Sequence, residues 1–167
     1  MIIKYEKIMQ DILKDFNKGR RCKTKWLFDL SDDTYIYIAI DGHYILSVPR
    51  CLWLLDTEKI INQGATLDHN HCFTTVNITA LIKGAEIAKK QLVFENYKRL
   101  KDKKEVAIFG ADDLEVVIDN NFFKYIDLDL YDIPAEVAIS GSTEKAPLFI
   151  HDNYNFVACL LPIANAN

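Results

Sequence analysis

The run with metal-binding chemistry is Asp68-His69-Asn70-His71-Cys72, where two imidazoles, a thiol and a carboxylate crowd together. Zinc wants four such ligands in a tetrahedral shell, and an extended backbone puts Asp68, Asn70 and Cys72 on one face and His69 and His71 on the other. That alternation splits the good ligands, and no second cluster of Cys or His completes the shell, so the expectation is a polar surface loop and no metal. His43 follows the Asp41-Gly42 pair closely enough to be weighed as a general base. No nucleophile is marked beside it and the turn accounts for the Asp-Gly pair, so a structural histidine is expected. The carboxylate pair Asp112 and Asp113 fits a hairpin turn, and Asp127 with Asp129 fits the solvent side of a short helix. Neither phosphate-loop signature is present and the chain has only six glycines, which removes nucleotide hydrolysis by those mechanisms. The reading is therefore no catalytic residue, no cofactor and no enzyme.

Charge narrows the remaining classes. A net charge of −4 excludes coating of nucleic acid by bulk attraction, but it leaves room for a local basic face. Lys18, Arg20, Arg21, Lys23 and Lys25 form one basic cluster, and Lys89, Lys90, Lys98, Arg99, Lys101, Lys103 and Lys104 form another. Acids gather at Asp127, Asp129, Asp132 and Glu136. Cys22, Cys51, Cys72 and Cys159 are far apart with no C-x-x-C spacing, which fits free buried thiols in a reducing compartment. The first residues meet charge too soon for a signal peptide and no stretch is apolar enough to span a bilayer, so a cytoplasmic protein without membrane contact is expected.

The elements that must position these residues follow from periodicity. Tyr5, Ile8, Met9, Ile12 and Phe16 recur at helical spacing, predicting an amphipathic helix that Gly19 ends. Trp26 to Leu30 reads as a strand, and Tyr35 to Val48 as a hairpin whose Asp41-Gly42 pair supplies a two-residue turn. Pro49 to Phe73 is the least regular region and is expected as an insertion or connection, with a short helix at Thr57 to Asn62. A second amphipathic helix is expected with Ile78, Leu81, Ile82, Ala85, Ala88 and Leu92 inward and Asn77 or Thr75 as cap. Val106 to Phe109 and Leu114 to Ile118 predict a second hairpin, Asn120 to Tyr131 a third helix, and Glu136 to Ile139, Pro147 to Ile150 and Phe156 to Leu161 the closing strands. With 167 residues and half of them apolar, the chain is expected to form a single α+β domain, its helices packed on one face of largely antiparallel sheet.

Several stretches carry a family resemblance. Ala39-Ile40-Asp41-Gly42-His43-Tyr44-Ile45-Leu46 resembles the hairpin of the last domain of bacterial DNA polymerase sliding clamps, with Tyr44 standing where that family usually carries arginine. Val116 to Ile126 resembles the clamp's strand and following helix start. Ala135-Glu136-Val137-Ala138-Ile139 through Leu161-Pro162-Ile163 resembles its closing order of a short strand, a P-L strand and a proline-terminated strand. The match covers about one clamp domain, whereas bacterial clamps carry three per subunit.

The resemblance implies a non-catalytic, clamp-like module of DNA replication or repair. Its helices would present Lys14, Lys18, Arg20, Arg21, Lys83, Lys89 and Lys90 to the backbone of double-stranded DNA, in contacts that permit sliding because they read no base edge. Leu161, Pro162 and Ile163 stand where the family lines an apolar groove for a polymerase or replication-protein peptide. A homo-oligomer would close any ring. The alternatives are a protein-interaction module of the same fold without DNA contact, and a small enzyme using the His69 and His71 region.

Overall fold

A computed structural model describes residues 1–66, 72–80, 82 and 90–163. Among them are eleven strands and two α-helices, and the chain divides into two compact units: Ile3–Ala85 with Met1, and Glu86–Asn167 with Ile2. The architecture is mixed α+β, and within each unit the strand pairing among the described residues is antiparallel except for one parallel pair. Among the described residues no helix is long and apolar enough to cross a membrane.

The first unit opens with α1 (Tyr5–Asn17), which buries Ile8, Met9 and Ile12 on the predicted stripe. A short 3-10 turn, Gly19–Arg21, follows, with Gly19 at φ 57° where a side chain would be strained. Strands β1 (Trp26–Asp29), β2 (Tyr35–Ile40) and β3 (Tyr44–Pro49) form an antiparallel meander, and β4 (Phe73–Thr75) joins β1 in parallel, giving the order β4-β1-β2-β3. Period-two alternation sends Trp26, Phe28, Ile36, Ile38, Leu46 and Val48 into the core, each buried.

The predicted hairpin is present with one more residue in its loop. Ile40 lies opposite Tyr44, so Asp41, Gly42 and His43 all stay outside the ladder. Asp41 and Gly42 take φ 54° and 69°, the positive angles expected of the pair, and the His43 N–H closes the turn on the Ile40 carbonyl at 3.0 Å. His43 adds a residue after the tight turn, and its side chain is exposed.

The stretch expected to be irregular holds more structure than its sequence suggests. A 3-10 turn, Arg50–Leu52, leads into α2 (Thr57–Thr66), longer than the helix expected at Thr57 to Asn62. Arg50 fixes the entry by donating from Nε to the Asp32 carbonyl and from Nη2 to the Leu30 carbonyl. Of the next predicted helix, Thr79, Ala80 and Ile82 are helical among the described residues, and Leu81, Ala85 and Ala88 lie outside them. Asn77 caps it as expected, its Oδ1 accepting from the Ala80 N–H at 3.3 Å. Leu92 is not on this helix; it separates β5 (Lys90–Gln91) from β6 (Val93–Arg99).

The second unit, among its described residues, is built from strands. One sheet has the order β11-β10-β9-β5, with β9 (Val137–Gly141), β10 (Leu148–Asp152) and β11 (Asn155–Leu160) at the three predicted closing positions. Asn153 and Tyr154 turn the β10–β11 hairpin with φ 47° and 68°, directly between the paired Asp152 and Asn155. A second sheet, β6-β7-β8, contains the predicted hairpin of β7 (Glu105–Ala111) and β8 (Leu114–Asp119), with Asp112 at φ 54°. β7 is central and buried from Val106 to Gly110.

The third helix expected from Asn120 to Tyr131 does not form. The segment makes a 3-10 turn, Asn120–Phe123, started by Asp119, whose side chain accepts from the Asn121 N–H at 2.9 Å. Bonds of 3-10 type follow from Lys124 to Asn121 and from Ile126 to Phe123. Asp129 then accepts from the Tyr131 N–H and closes a turn with Asp132. Asn and Asp side chains compete for backbone donors in this way, and the apolar spacing of Phe123, Ile126 and Leu130 served a compact loop as well as a helix. All helix packing on sheet among the described residues therefore belongs to the first unit.

Candidate nucleic-acid interface

The densest charge in the first unit lies where α1 ends. From Lys14 to Lys25 the chain carries Lys14, Lys18, Arg20, Arg21, Lys23 and Lys25 against one carboxylate, Asp15. All six cations are exposed, while Asp15 is buried. Local structure explains the segregation. Lys14 and Lys18 are four residues apart and share the outer face of α1, whereas Asp15 faces inward and its Oδ2 accepts the Trp26 indole N–H at 2.8 Å. Its other oxygen, Oδ1, holds Lys18 Nζ at 2.8 Å, and that hydrogen bond raises the Lys18 pKa. The chain then leaves the helix through Arg20 and Arg21 in the 3-10 turn, whose brevity keeps both on the surface. Cations at a helix C-terminus also offset the negative end of its dipole, which favours this arrangement in the absence of any ligand.

A second buried carboxylate braces the same unit. Asp29, at the end of β1, is 3% exposed. Its Oδ1 accepts from the N–H and hydroxyl of Ser31, and its Oδ2 from the N–H of Ile78 at 2.7 Å, the N–H of Thr79 at 2.9 Å and the Thr79 hydroxyl at 3.0 Å. Burial pushes this carboxyl up, but the bonds from Ser31 and Thr79 outweigh burial and hold it well below the usual carboxylate range. With five donors already taken up, Asp29 is a clamp on the start of the following helix and not a base.

The remaining sequence-predicted residues fall elsewhere. Lys90 is exposed in the second unit and lies on strand β5, not on a helix, while Lys83 and Lys89 lie outside the described residues. Leu161, Pro162 and Ile163 follow β11 directly. Leu161 is 40% exposed, the other two are half-buried, and the Ile163 N–H donates to the Val117 carbonyl at 2.8 Å, which ties the tail along β8. Asp68, His69, Asn70 and His71 also lie outside the described residues. Among the described residues no group of three His, Cys, Asp or Glu side chains could hold a metal. Cys72 is buried and donates its S–H to the Cys22 carbonyl at 3.3 Å. Burial, then the neighbouring Cys72, pushes the Cys22 thiol up to about 12, so Cys22 is poorly nucleophilic.

Sequence reasoning missed β6 and the burial of Asp15 and Asp29. The Val93-Phe94-Glu95-Asn96-Tyr97 stretch contains strand-forming residues, but it lies between the end of an expected helix and a basic cluster. Asp29 gave a signal only in hindsight, as an acid closing the apolar run Trp26-Leu27-Phe28, and its partners lie some fifty residues on. No protein-family description, curated protein or solved structure was found to match this chain.

Proposed function

We propose that the chain is a non-catalytic, sliding-clamp-like module that holds the backbone of double-stranded DNA through the end of α1. The observation that carries this reading is the exposed set Lys14, Lys18, Arg20, Arg21, Lys23 and Lys25, with the one carboxylate among them turned inward. Such a patch acts on phosphates at short range despite a net charge of −4, because a Debye length of about 8 Å screens the distant acids. It presents exposed charges where a helix ends, which suits phosphate contacts that exchange along a duplex without reading bases. The hairpin at Tyr35–Val48 and the closing order of β9, β10 and β11 supply the clamp likeness. A ring on this plan needs several copies of the chain, so the module is a homo-oligomer when it encircles DNA.

The half-exposed tail Leu161-Pro162-Ile163 favours a second activity, capture of a replication-protein peptide, which also stands if DNA is not bound. The test of the main reading is duplex binding at low salt by the wild-type chain and by the variant Arg20→Glu with Arg21→Glu. Both residues are exposed, so the variant keeps its fold. Loss of binding in the variant supports the patch. Equal binding by both chains, or none by the wild type, removes DNA from the account and leaves the peptide-binding reading, which loss of peptide capture in Leu161→Ala supports.

A further inference from the structure

The second unit contains an open groove at the point where the chain passes from β5 to β6. Its volume is about 350 Å3, and its walls include Leu92, Val93, Leu130, Tyr131, Ile133 and Pro134. Two of these are left in solvent to a degree unusual for their type: Val93 is 65% exposed and Tyr131 72% exposed. Tyr131 is nevertheless placed, because its ring meets Phe94 edge-on at 5.2 Å and Tyr97 at 5.7 Å. Phe94 in turn packs on Phe109, a fully buried residue of β7. The exposed rim is thus anchored to the core and preorganised, which lowers the entropy cost of filling the groove.

Charge on the groove's long wall has one sign. Between Lys124 and Lys145 the chain has no Lys, Arg or His, yet Asp129, Asp132 and Glu136 alternate with the lining residues Leu130, Tyr131, Ile133 and Pro134, and all three acids are exposed. Lys90 is the cation adjoining the lining in sequence. Tyr97, which packs on Tyr131, has its pKa raised, by burial first and then by the neighbouring Tyr131, Glu105 and Asp129. Among the described residues β5 and β6 each end their sheets, so the groove adjoins strand-edge main chain. An edge of that kind pairs with an extended segment.

We infer that this groove binds an extended peptide of cationic and apolar residues, seating a large apolar side chain between Val93 and Tyr131 and setting Lys or Arg against Asp129, Asp132 and Glu136. The site lies in the second unit and uses none of the residues assigned to DNA or to the Leu161 tail.

The experiment titrates the full chain into two fluorescein-labelled peptides of about ten residues, one alternating lysine with leucine around a central tryptophan, the other with glutamate for lysine. The basic peptide binds, and the acidic one binds at least about tenfold more weakly. Asp132→Lys with Glu136→Lys abolishes that preference, and Val93→Lys weakens the basic peptide by about tenfold or more. Backbone amide shifts of Leu92, Val93 and Tyr131 move on binding. Each altered position is exposed, and an unchanged melting temperature checks the fold. Equal binding of both peptides overturns the proposal, as does binding that ignores all these substitutions. Self-association of the chain that the same substitutions abolish overturns it too, because it assigns the groove to a second copy. Duplex binding by the Asp132→Lys, Glu136→Lys chain no weaker than wild type separates this outcome from that of the α1 patch.

Discussion

The two units differ in what ties their interiors together. The first takes Asp15 and Asp29 inside and satisfies each with one local and at least one distant partner, Asp15 with Lys18 and Trp26, Asp29 with Ser31, Ile78 and Thr79, whereas the carboxylate that the second buries, Asp119, caps a local turn. The second builds around rings, with Phe94, Phe109, Phe123, Tyr97 and Tyr131 in a chain of edge and stacked contacts. A helix docked on a sheet needs its end groups satisfied as well as its stripe buried, and a buried acid does this while the cations stay on the surface. A sheet without such a helix relies on apolar area, and where rings run out to the rim it leaves apolar surface exposed. The first unit carries a basic patch where α1 ends, and the second an acidic, apolar one along its groove.

The largest expected effect is Phe109→Ala, which removes a fully buried ring from β7 and should cost about 3–5 kcal/mol in urea unfolding, with no change in the pH dependence of stability. Asp29→Ala should cost about 3 kcal/mol at neutral pH, because the N–H groups of Ile78 and Thr79 lose their acceptor in a buried site. Here the pH profile separates the two units. The folded carboxyl of Asp29 is held below its unfolded value of about 4, so its stabilisation is complete above that pH and is lost as pH falls toward the folded value. Wild type should therefore lose stability between about pH 5 and pH 2 more steeply than Asp29→Asn does. Parallel acid limbs for the two chains would show that the Asp29 cluster does not carry this load.

A smaller effect is expected from Tyr131→Ala, under about 1 kcal/mol because the ring is mostly in solvent, although it forms one rim of the groove. Alkylation by iodoacetamide sharpens the comparison at the lowest cost in stability. Cys51 is exposed while Cys22, Cys72 and Cys159 are buried, so mass spectrometry should find one modification at Cys51 well before any other. Early loss of the Cys22 thiol would mean that the β1–β4 region opens readily.

Much of the strand framework was legible because turn chemistry is local. Asp41-Gly42, Asp112-Asp113 and Asn153-Tyr154 each mark a bend, and period-two runs flank all three. The α1 stripe was legible for the same reason. The missing third helix was not, since Asp119 and Asp129 drew backbone donors to their side chains, a choice that apolar spacing does not encode. Strand β6 was hidden by its own charges: Glu95, Lys98 and Arg99 are those of an exposed edge, and its register slips between Phe94 and Asn96. The cations at the end of α1 could be named from the sequence, but the inward turn of Asp15 depends on Trp26 and became visible only in the fold. The groove in the second unit joins β5, β6 and the loop before β9, and no local pattern announces such an assembly.

The central claim is that the α1 patch holds phosphates without reading bases. The most direct measurement is the salt dependence of binding to two duplexes of unrelated sequence. Both should bind at low salt with similar affinity, and log K should fall against log salt with a slope of about −2 to −5, as expected for a few displaced counterions. A flat salt dependence, a strong preference for one sequence, or no binding at low ionic strength would contradict it.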